Sequence, residues 1–170
     1  MLLFDRDGTL NFEDAGYHRD LAEVKPYPFT GPALQRLRQR FQLGVVTNQS
    51  GIGRGFWSAG DVEILHKRLC GEWGITMPFF ICPHLPQDDC SCRKPKPGLI
   101  NDALRHFDVS PDEVLMVGDS VTDLEAATAA GVDFALVLTG RGRQIEKAAQ
   151  ASITIVLDSM ADLAQGIEPI

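Results

Sequence analysis

A chain of 170 residues, 44% hydrophobic and 23% charged, is long enough for one domain around one substantial core. Its 16 Lys and Arg against 23 Asp and Glu give a formal charge of −7, which argues against the basic footprint of a nucleic-acid or anionic-membrane binder. No apolar run reaches the length of a membrane span, and the first residues lack the basic region and cleavage site of a signal peptide, so a cytoplasmic location is expected.

Short apolar runs alternate with helical patterns along the whole chain. Strands are predicted at 1–4, 43–47, 77–82, 114–117, 134–138 and 153–157, and helices at 32–40, 59–73, 97–107, 121–130, 143–149 and 160–165. Thr30, Ser58 and Ser159 are placed to cap three of the helices. Strands alternating with helices imply an α/β fold, a doubly wound parallel sheet covered on both faces. No repeat or linker interrupts the pattern, so residues 1–170 are expected to form a single domain.

Two stretches stand outside this scheme. Residues 10–29 are polar and turn-rich and follow the first strand directly; residues 83–97 are rich in Pro, Cys and Asp. Long irregular loops in compact domains are usually functional, and in open α/β sheets the ligand sits beyond the carboxyl ends of the strands.

The first strand runs into Phe4-Asp5-Arg6-Asp7-Gly8-Thr9-Leu10. Two carboxylates two residues apart can converge on one pocket if the chain leaves extended geometry, which Gly8 permits. One carboxylate can attack phosphorus to give an acyl phosphate, and the other can protonate the leaving oxygen. Asp-x-Asp-Gly by itself is read equally well as a solvated turn.

A second constellation lies in the second loop. Cys82-Pro83-His84 is followed by Cys90-Ser91-Cys92, and three thiolates with one imidazole make a closed tetrahedral set suited to structural zinc. The alternative is reduced thiols beside a stray histidine. Cys70 falls on a helical face and reads as an inert buried residue.

Taken together, the motifs resemble those of the haloacid dehalogenase superfamily over essentially the whole chain. Asp5-Arg6-Asp7-Gly8-Thr9-Leu10 matches its first motif, Thr47 its second, Lys94 its third and Gly118-Asp119-Ser120-Val121-Thr122-Asp123 its fourth. The resemblance implies a capless, Rossmann-like phosphatase with Asp5 as nucleophile and Asp7 as general acid and base. Thr47 would bond the phosphoryl group, and Lys94 would offset charge. Magnesium would be held by Asp5, Asp119 and the backbone carbonyl of Asp7, and magnesium does favour oxygen ligands. An acid such as Asp7 is then expected to have a raised pKa. Asp123 is read as a helix N-terminal carboxylate, as a magnesium ligand or as a partner of Lys94.

The zinc loop at about 82–92 narrows the resemblance to a branch whose members act on heptose bisphosphates or on histidinol phosphate. Residues 47–55 and 94–98 and Gly16-Tyr17-His18 look like the heptose type, which implies a sugar bisphosphate substrate bound by Gly16, Tyr17, Asn48, Gln49, Ser50, Arg54 and Arg93. Two features depart from it. Ser120 stands where that type often carries lysine, and only five residues separate His84 from Cys90, closer to the histidinol type. A polynucleotide 3′-phosphatase and a zinc-stabilised binding module are carried as further readings. The −7 charge disfavours the former and the complete motif set the latter. A small phosphorylated metabolite is the expected partner of a monomer, with neither nucleic acid nor membrane.

Overall fold

In the computed structural model, residues 1–13, 20–145 and 153–166 are described. Strands β1 (Leu2–Phe4), β2 (Leu43–Asn48), β3 (Phe79–Cys82), β4 (Leu115–Gly118), β5 (Asp133–Val137) and β6 (Ile155–Leu157) form one sheet in the order β3-β2-β1-β4-β5-β6. Every neighbouring pair is parallel. Between and after the strands lie α1 (Thr30–Leu37), α2 (Ala59–Trp73), α3 (Gly98–Phe107), α4 (Val121–Ala130), α5 (Gly142–Ile145) and α6 (Met160–Gln165). Of the predicted helix at 143–149, residues 143–145 are helical and the rest lie outside the described residues. Among the described residues no helix is long and apolar enough to cross a membrane.

The predicted elements are present with shifted ends, and two shifts have clear causes. β3 starts at Phe79 rather than 77, because Pro78 has no N–H to place in a ladder; its carbonyl accepts from Val45 N at 3.0 Å. Helix α1 starts at Thr30 itself, so Thr30 is not its cap. The threonine is fully buried, and its hydroxyl finds an interior partner by donating to the Leu10 carbonyl at 2.7 Å. Ser58 and Ser159 do cap α2 and α6, each in a reciprocal box with an aspartate three residues on. Ser120 caps α4 in the same way with Asp123, a cap not foreseen from the sequence.

Alternation along the strands builds two cores. Leu2 and Phe4 of β1 point into the layer holding Leu34 of α1, Leu65, Leu69 and Trp73 of α2, and Met160 of α6. Leu3 between them points to the opposite layer, with Ile100 and Ala103 of α3 and Leu124 and Ala127 of α4. From β1 the chain moves outward to β2 and β3, then crosses to β4 on the other flank of β1. Helices α1 and α4 therefore leave β1 and β4 on opposite faces, which opens a crevice beyond the carboxyl ends of that pair. The register aligns Phe4 with Val117, so Asp5 and Gly118 stand side by side at the crevice floor.

Candidate active site

Asp5 remains tied to the sheet through its N–H, which donates to Val117 O at 2.9 Å. The chain then folds back, with the Leu10 and Asn11 N–H groups donating to Arg6 O at 2.9 and 3.1 Å. Gly8 sits inside this turn at φ 84°, and a Cβ there would lie 2.3 Å from Asp119 Oδ2. Backbone conformation and close approach thus both require glycine.

Lys94 reaches into the same crevice from the cysteine-rich loop and is almost wholly buried. Its Nζ lies 2.7 Å from Asp5 Oδ1, 2.6 Å from Asp123 Oδ1 and 3.0 Å from Val46 O. Asn48, at the end of β2, accepts from Lys94 N at 3.1 Å and donates to Lys94 O at 3.0 Å. Burial alone would weaken the ammonium, but Asp123 and Asp5 more than offset it and raise its pKa. Asp123 faces Lys94 with one oxygen, while the other accepts from Ser120 Oγ at 2.6 Å and Ser120 N at 3.1 Å. Of the three readings of Asp123, the geometry combines the helix terminus and the lysine partner.

Asp119 follows β4 and is buried, with Oδ2 accepting from Arg141 N at 2.8 Å and Oδ1 from Thr9 Oγ1 at 3.4 Å. Asp5, Asp119 and Asp123 bring carboxylate oxygens within 4.8 Å of one another. Burial pushes Asp5 well above the usual carboxylate range, with Asp123, Asp119 and Asp7 adding to the effect and Lys94 opposing it. Burial and Asp123 push Asp119 up to about 7. One lysine does not neutralise this acidic group, and hard oxygen donors around a charge deficit suit magnesium. Asp5, Asp119 and Asp123 are the side chains that could hold the ion, with Asp123 also engaged by Lys94 and Ser120.

Asp7 differs from expectation. Burial would raise its pKa, but Arg6, Asn11 and Gln49 override this and hold it below the usual value. Arg6 Nη2 donates to Asp7 Oδ2 at 2.8 Å, Asn11 Nδ2 to Oδ1 at 2.9 Å and Gln49 Nε2 to Oδ2 at 2.9 Å. The acid-base candidate is therefore an ionised carboxylate in this state.

A cavity of about 370 Å³ joins these groups and is lined by Asp5, Asp7, Thr47, Lys94 and Asp119. Buried Thr47 Oγ1 accepts from Gln49 Nε2 at 2.9 Å, which leaves its own hydroxyl proton to be donated into the cavity. Among the predicted substrate residues, Asn48, Gln49, Ser50 and Arg93 line the cavity, although the Asn48 amide is committed to the Lys94 backbone. Arg54 is exposed on its loop outside the lining, and Gly16 and Tyr17 lie outside the described residues. Arg6, Glu13, Trp57 and Arg141 also line the cavity and were not foreseen. Only Arg6 carried a local signal, its place between the two aspartates.

The cysteine-rich loop gathers its four predicted ligands. Cys82 Sγ lies 3.7 Å from Cys90 Sγ and 3.6 Å from His84 Nδ1; Cys92 Sγ lies 3.5 Å from Cys90 Sγ and 3.2 Å from His84 Nδ1. Tetrahedral zinc with sulfur bonds of ~2.3 Å has sulfur-sulfur edges of roughly 3.8 Å, so the residues fit that ion. Cys70 is separate from the cluster and half-buried, with its thiol pushed up by burial. Arg93 follows the cluster and donates from Nη1 to His84 O at 3.2 Å, just before Lys94 enters the crevice.

The fold and motif set define a class, and comparison with known proteins agrees. Residues 91–163 match the family described as HAD-hydrolase-like. The chain belongs to the haloacid dehalogenase-like hydrolases. It is 36% identical to the D-glycero-β-D-manno-heptose-1,7-bisphosphate 7-phosphatase of Pseudomonas putida, over 97% of both chains. Against the Pseudomonas aeruginosa protein of the same name it is 37% identical, over 98% of this chain and 97% of that one. The structure of the D,D-heptose 1,7-bisphosphate phosphatase of Bordetella bronchiseptica, complexed with magnesium and phosphate, aligns with a TM-score of 0.87 at 36% identity. That alignment covers 97% of this chain and 96% of that one.

Proposed function

We propose that the protein is a magnesium-dependent phosphomonoesterase that removes the C7 phosphate of D-glycero-D-manno-heptose 1,7-bisphosphate. The observation that carries this reading is the convergence of Asp5, Thr47, Lys94 and Asp119 on one cavity, in a chain matched over nearly its full length by heptose-bisphosphate phosphatases. Phosphoryl transfer depends mainly on positioning and charge neutralisation, and this site supplies both.

Asp5 Oδ1 is held by Lys94, so Oδ2 is the oxygen that attacks phosphorus. A bond forms from Oδ2 to phosphorus as the bond to the C7 oxygen breaks, giving an aspartyl phosphate and an alkoxide that takes a proton from Asp7. Water then attacks phosphorus, Asp7 accepts one of its protons, and Oδ2 departs with its electron pair. Asp7 starts ionised against Arg6, and the entering phosphate dianion is what raises its affinity for the needed proton. Thr47 donates to a phosphoryl oxygen, and Lys94 balances the charge on Asp5 and phosphate. Magnesium, held by Asp5 and Asp119, would offset repulsion between nucleophile and phosphate. Cys82, His84, Cys90 and Cys92 would hold zinc and so order the segment that carries Arg93 and Lys94. Arg93 and Arg141 also line the cavity and are the cations that would meet a second phosphate, Arg141 by exchanging its ion pair with Glu13, where Ser120 offers none.

The test is turnover by the purified, zinc-replete protein with magnesium. The panel is both anomers of the heptose bisphosphate, hexose bisphosphates, histidinol phosphate and a 3′-phosphorylated oligonucleotide. The highest kcat/KM is expected for a heptose bisphosphate. A higher value for histidinol phosphate or the oligonucleotide would replace this substrate assignment.

A further inference from the structure

A buried arginine and a buried histidine stand behind Asp7; Arg6 appears above only as the charge that keeps Asp7 ionised, and His66 not at all. Arg6 is 2% exposed. Its Nε and Nη2 donate to Asp7 Oδ1 at 3.1 and 2.9 Å, and Nη2 also reaches Asp7 Oδ2 at 2.8 Å and Gln49 Oε1 at 3.1 Å. Its remaining terminal nitrogen, Nη1, lies 3.2 Å from His66 Nε2. A guanidinium has no acceptor, so His66 Nε2 carries the lone pair and the ring proton sits on Nδ1. His66 comes from α2 and is 5% exposed, and its ring stacks on Phe79 of β3 with centroids 3.8 Å apart and planes 15° from parallel. Burial, then the Arg6 charge, lowers the imidazole pKa to about 3, so it remains the neutral acceptor that Arg6 needs.

Two simpler roles fit less well. An arginine serving to bind phosphate would aim its donors into the cavity, whereas Nε, Nη2 and one Nη1 N–H of Arg6 go to Asp7, Gln49 and His66. One serving only as core filler would not need three bonds to a single carboxylate beside the nucleophile. We propose that Arg6, held in place by His66, is a positioning residue that fixes the orientation of the Asp7 carboxylate for proton transfer to the leaving oxygen. This rests on the reading of Asp7 as the proton donor. The consequence is that α2 and β3, which never touch the phosphate, set the geometry of the acid.

The experiment measures kcat and KM of wild type, Asp7→Asn, Arg6→Gln, His66→Gln and His66→Leu, all with magnesium and zinc. Each is assayed on a sugar bisphosphate and on p-nitrophenyl phosphate, whose leaving group needs little protonation. Asp7→Asn is expected to lose ~10²–10⁴-fold in kcat on the sugar phosphate and far less on the aryl ester. Arg6→Gln should follow the same pattern with a loss of roughly 10²-fold, as expected for a misplaced group, and with KM nearly constant. His66→Gln retains an acceptor for Arg6 and should keep most of its turnover. His66→Leu, which leaves the guanidinium unpaired, should repeat part of the Arg6→Gln pattern. If Arg6→Gln folds poorly, the opposite behaviour of the two His66 variants decides the matter. Equal losses of Arg6→Gln and His66→Leu on both esters, or losses confined to KM, overturn the positioning role while leaving Asp7 as the acid. A loss in Asp7→Asn that is equal on both esters overturns the reading of Asp7, and the inference falls with it.

Discussion

Asp5 and Asp123 pair with Lys94 and Asp119 stands beside them, and the chemistry of the site follows from how that charge is managed. Asp5→Asn keeps the shape but replaces an anionic nucleophile with a poor one, and it also weakens a magnesium ligand. Turnover is expected to fall by several orders of magnitude with the circular dichroism spectrum unchanged; near-normal turnover in a preparation free of wild type would rule out the aspartyl phosphate. Asp119 gives a prediction about stability. Its ordinary pKa of 3.8 is raised to about 7 in the folded, magnesium-free protein, so the folded state binds more protons between those values. Its contribution to stability is then fully present below 3.8 and lost as pH rises through about 7, the reverse of ordinary acid denaturation. Asp7, with its lowered pKa, works in the opposite sense and loses its contribution only in more acid solution. The Tm of magnesium-free, zinc-replete protein should therefore fall across that window. Asp5, raised in the same direction, adds to the fall, so Asp119→Asn should reduce rather than abolish it and should weaken the stabilisation that magnesium gives to wild type. Matching pH profiles for the two proteins would contradict this.

At the scale of elements, the segment of greatest consequence is the cysteine-rich loop between β3 and α3. It holds Lys94 against Asp5 but offers few apolar side chains for burial, so beyond the Asn48 clamp on Lys94 we expect metal ligation at its Cys/His cluster to order it. Cys90→Ser is expected to lose zinc, become sensitive to limited proteolysis between 83 and 97 and lose most of its activity. Added magnesium should not restore activity, because a hard ion has little affinity for thiolates. Unchanged zinc content, protease resistance and turnover in Cys90→Ser would remove the structural zinc. The cap of α4 is a second element with two roles, since Ser120 both starts the helix and bonds the oxygen of Asp123 that Lys94 does not use. Ser120→Ala should cost about 1 kcal/mol in denaturant unfolding, a typical value for losing such a cap.

Across the whole molecule, two apolar layers share one sheet, and β1 contributes alternate residues to both. Neither layer can be exposed without removing the support of the other, so zinc-replete protein is expected to unfold in one transition. Coincident midpoints by near- and far-ultraviolet circular dichroism would bear this out; separate transitions would instead divide residues 1–170 into independent units. The site depends on the same arrangement, because Asp5, Thr47 and Asp119 lie at the carboxyl ends of three adjacent strands and Lys94 returns from beyond a fourth. Asp5 and Asp119 stand just past β1 and β4, and Thr47 is next to last in β2, before Asn48.

By itself the sequence determined whatever is local. The alternation of short apolar runs with helical periods set the parallel sheet, and the positions of Asp5, Thr47 and Asp119 at strand ends set where the chemistry lies. The spacing of Cys82, His84, Cys90 and Cys92 marked the four side chains that gather into a candidate zinc site in the same way. Tertiary structure alone decided the partners. His66 meets Arg6 across 60 positions of chain, Asn48 clamps the Lys94 backbone across 46, and Asp123 pairs with Lys94. The lowered pKa of Asp7 belongs here too. Sequence assigned it an acid's raised value, and burial acts in that direction, but three hydrogen-bonding neighbours, Arg6, Asn11 and Gln49, override it and fix the sign, and two of those neighbours depend on how the chain folds back. Patterns of period and spacing are carried by neighbouring residues, whereas desolvation and charge pairing exist only once distant segments are packed together.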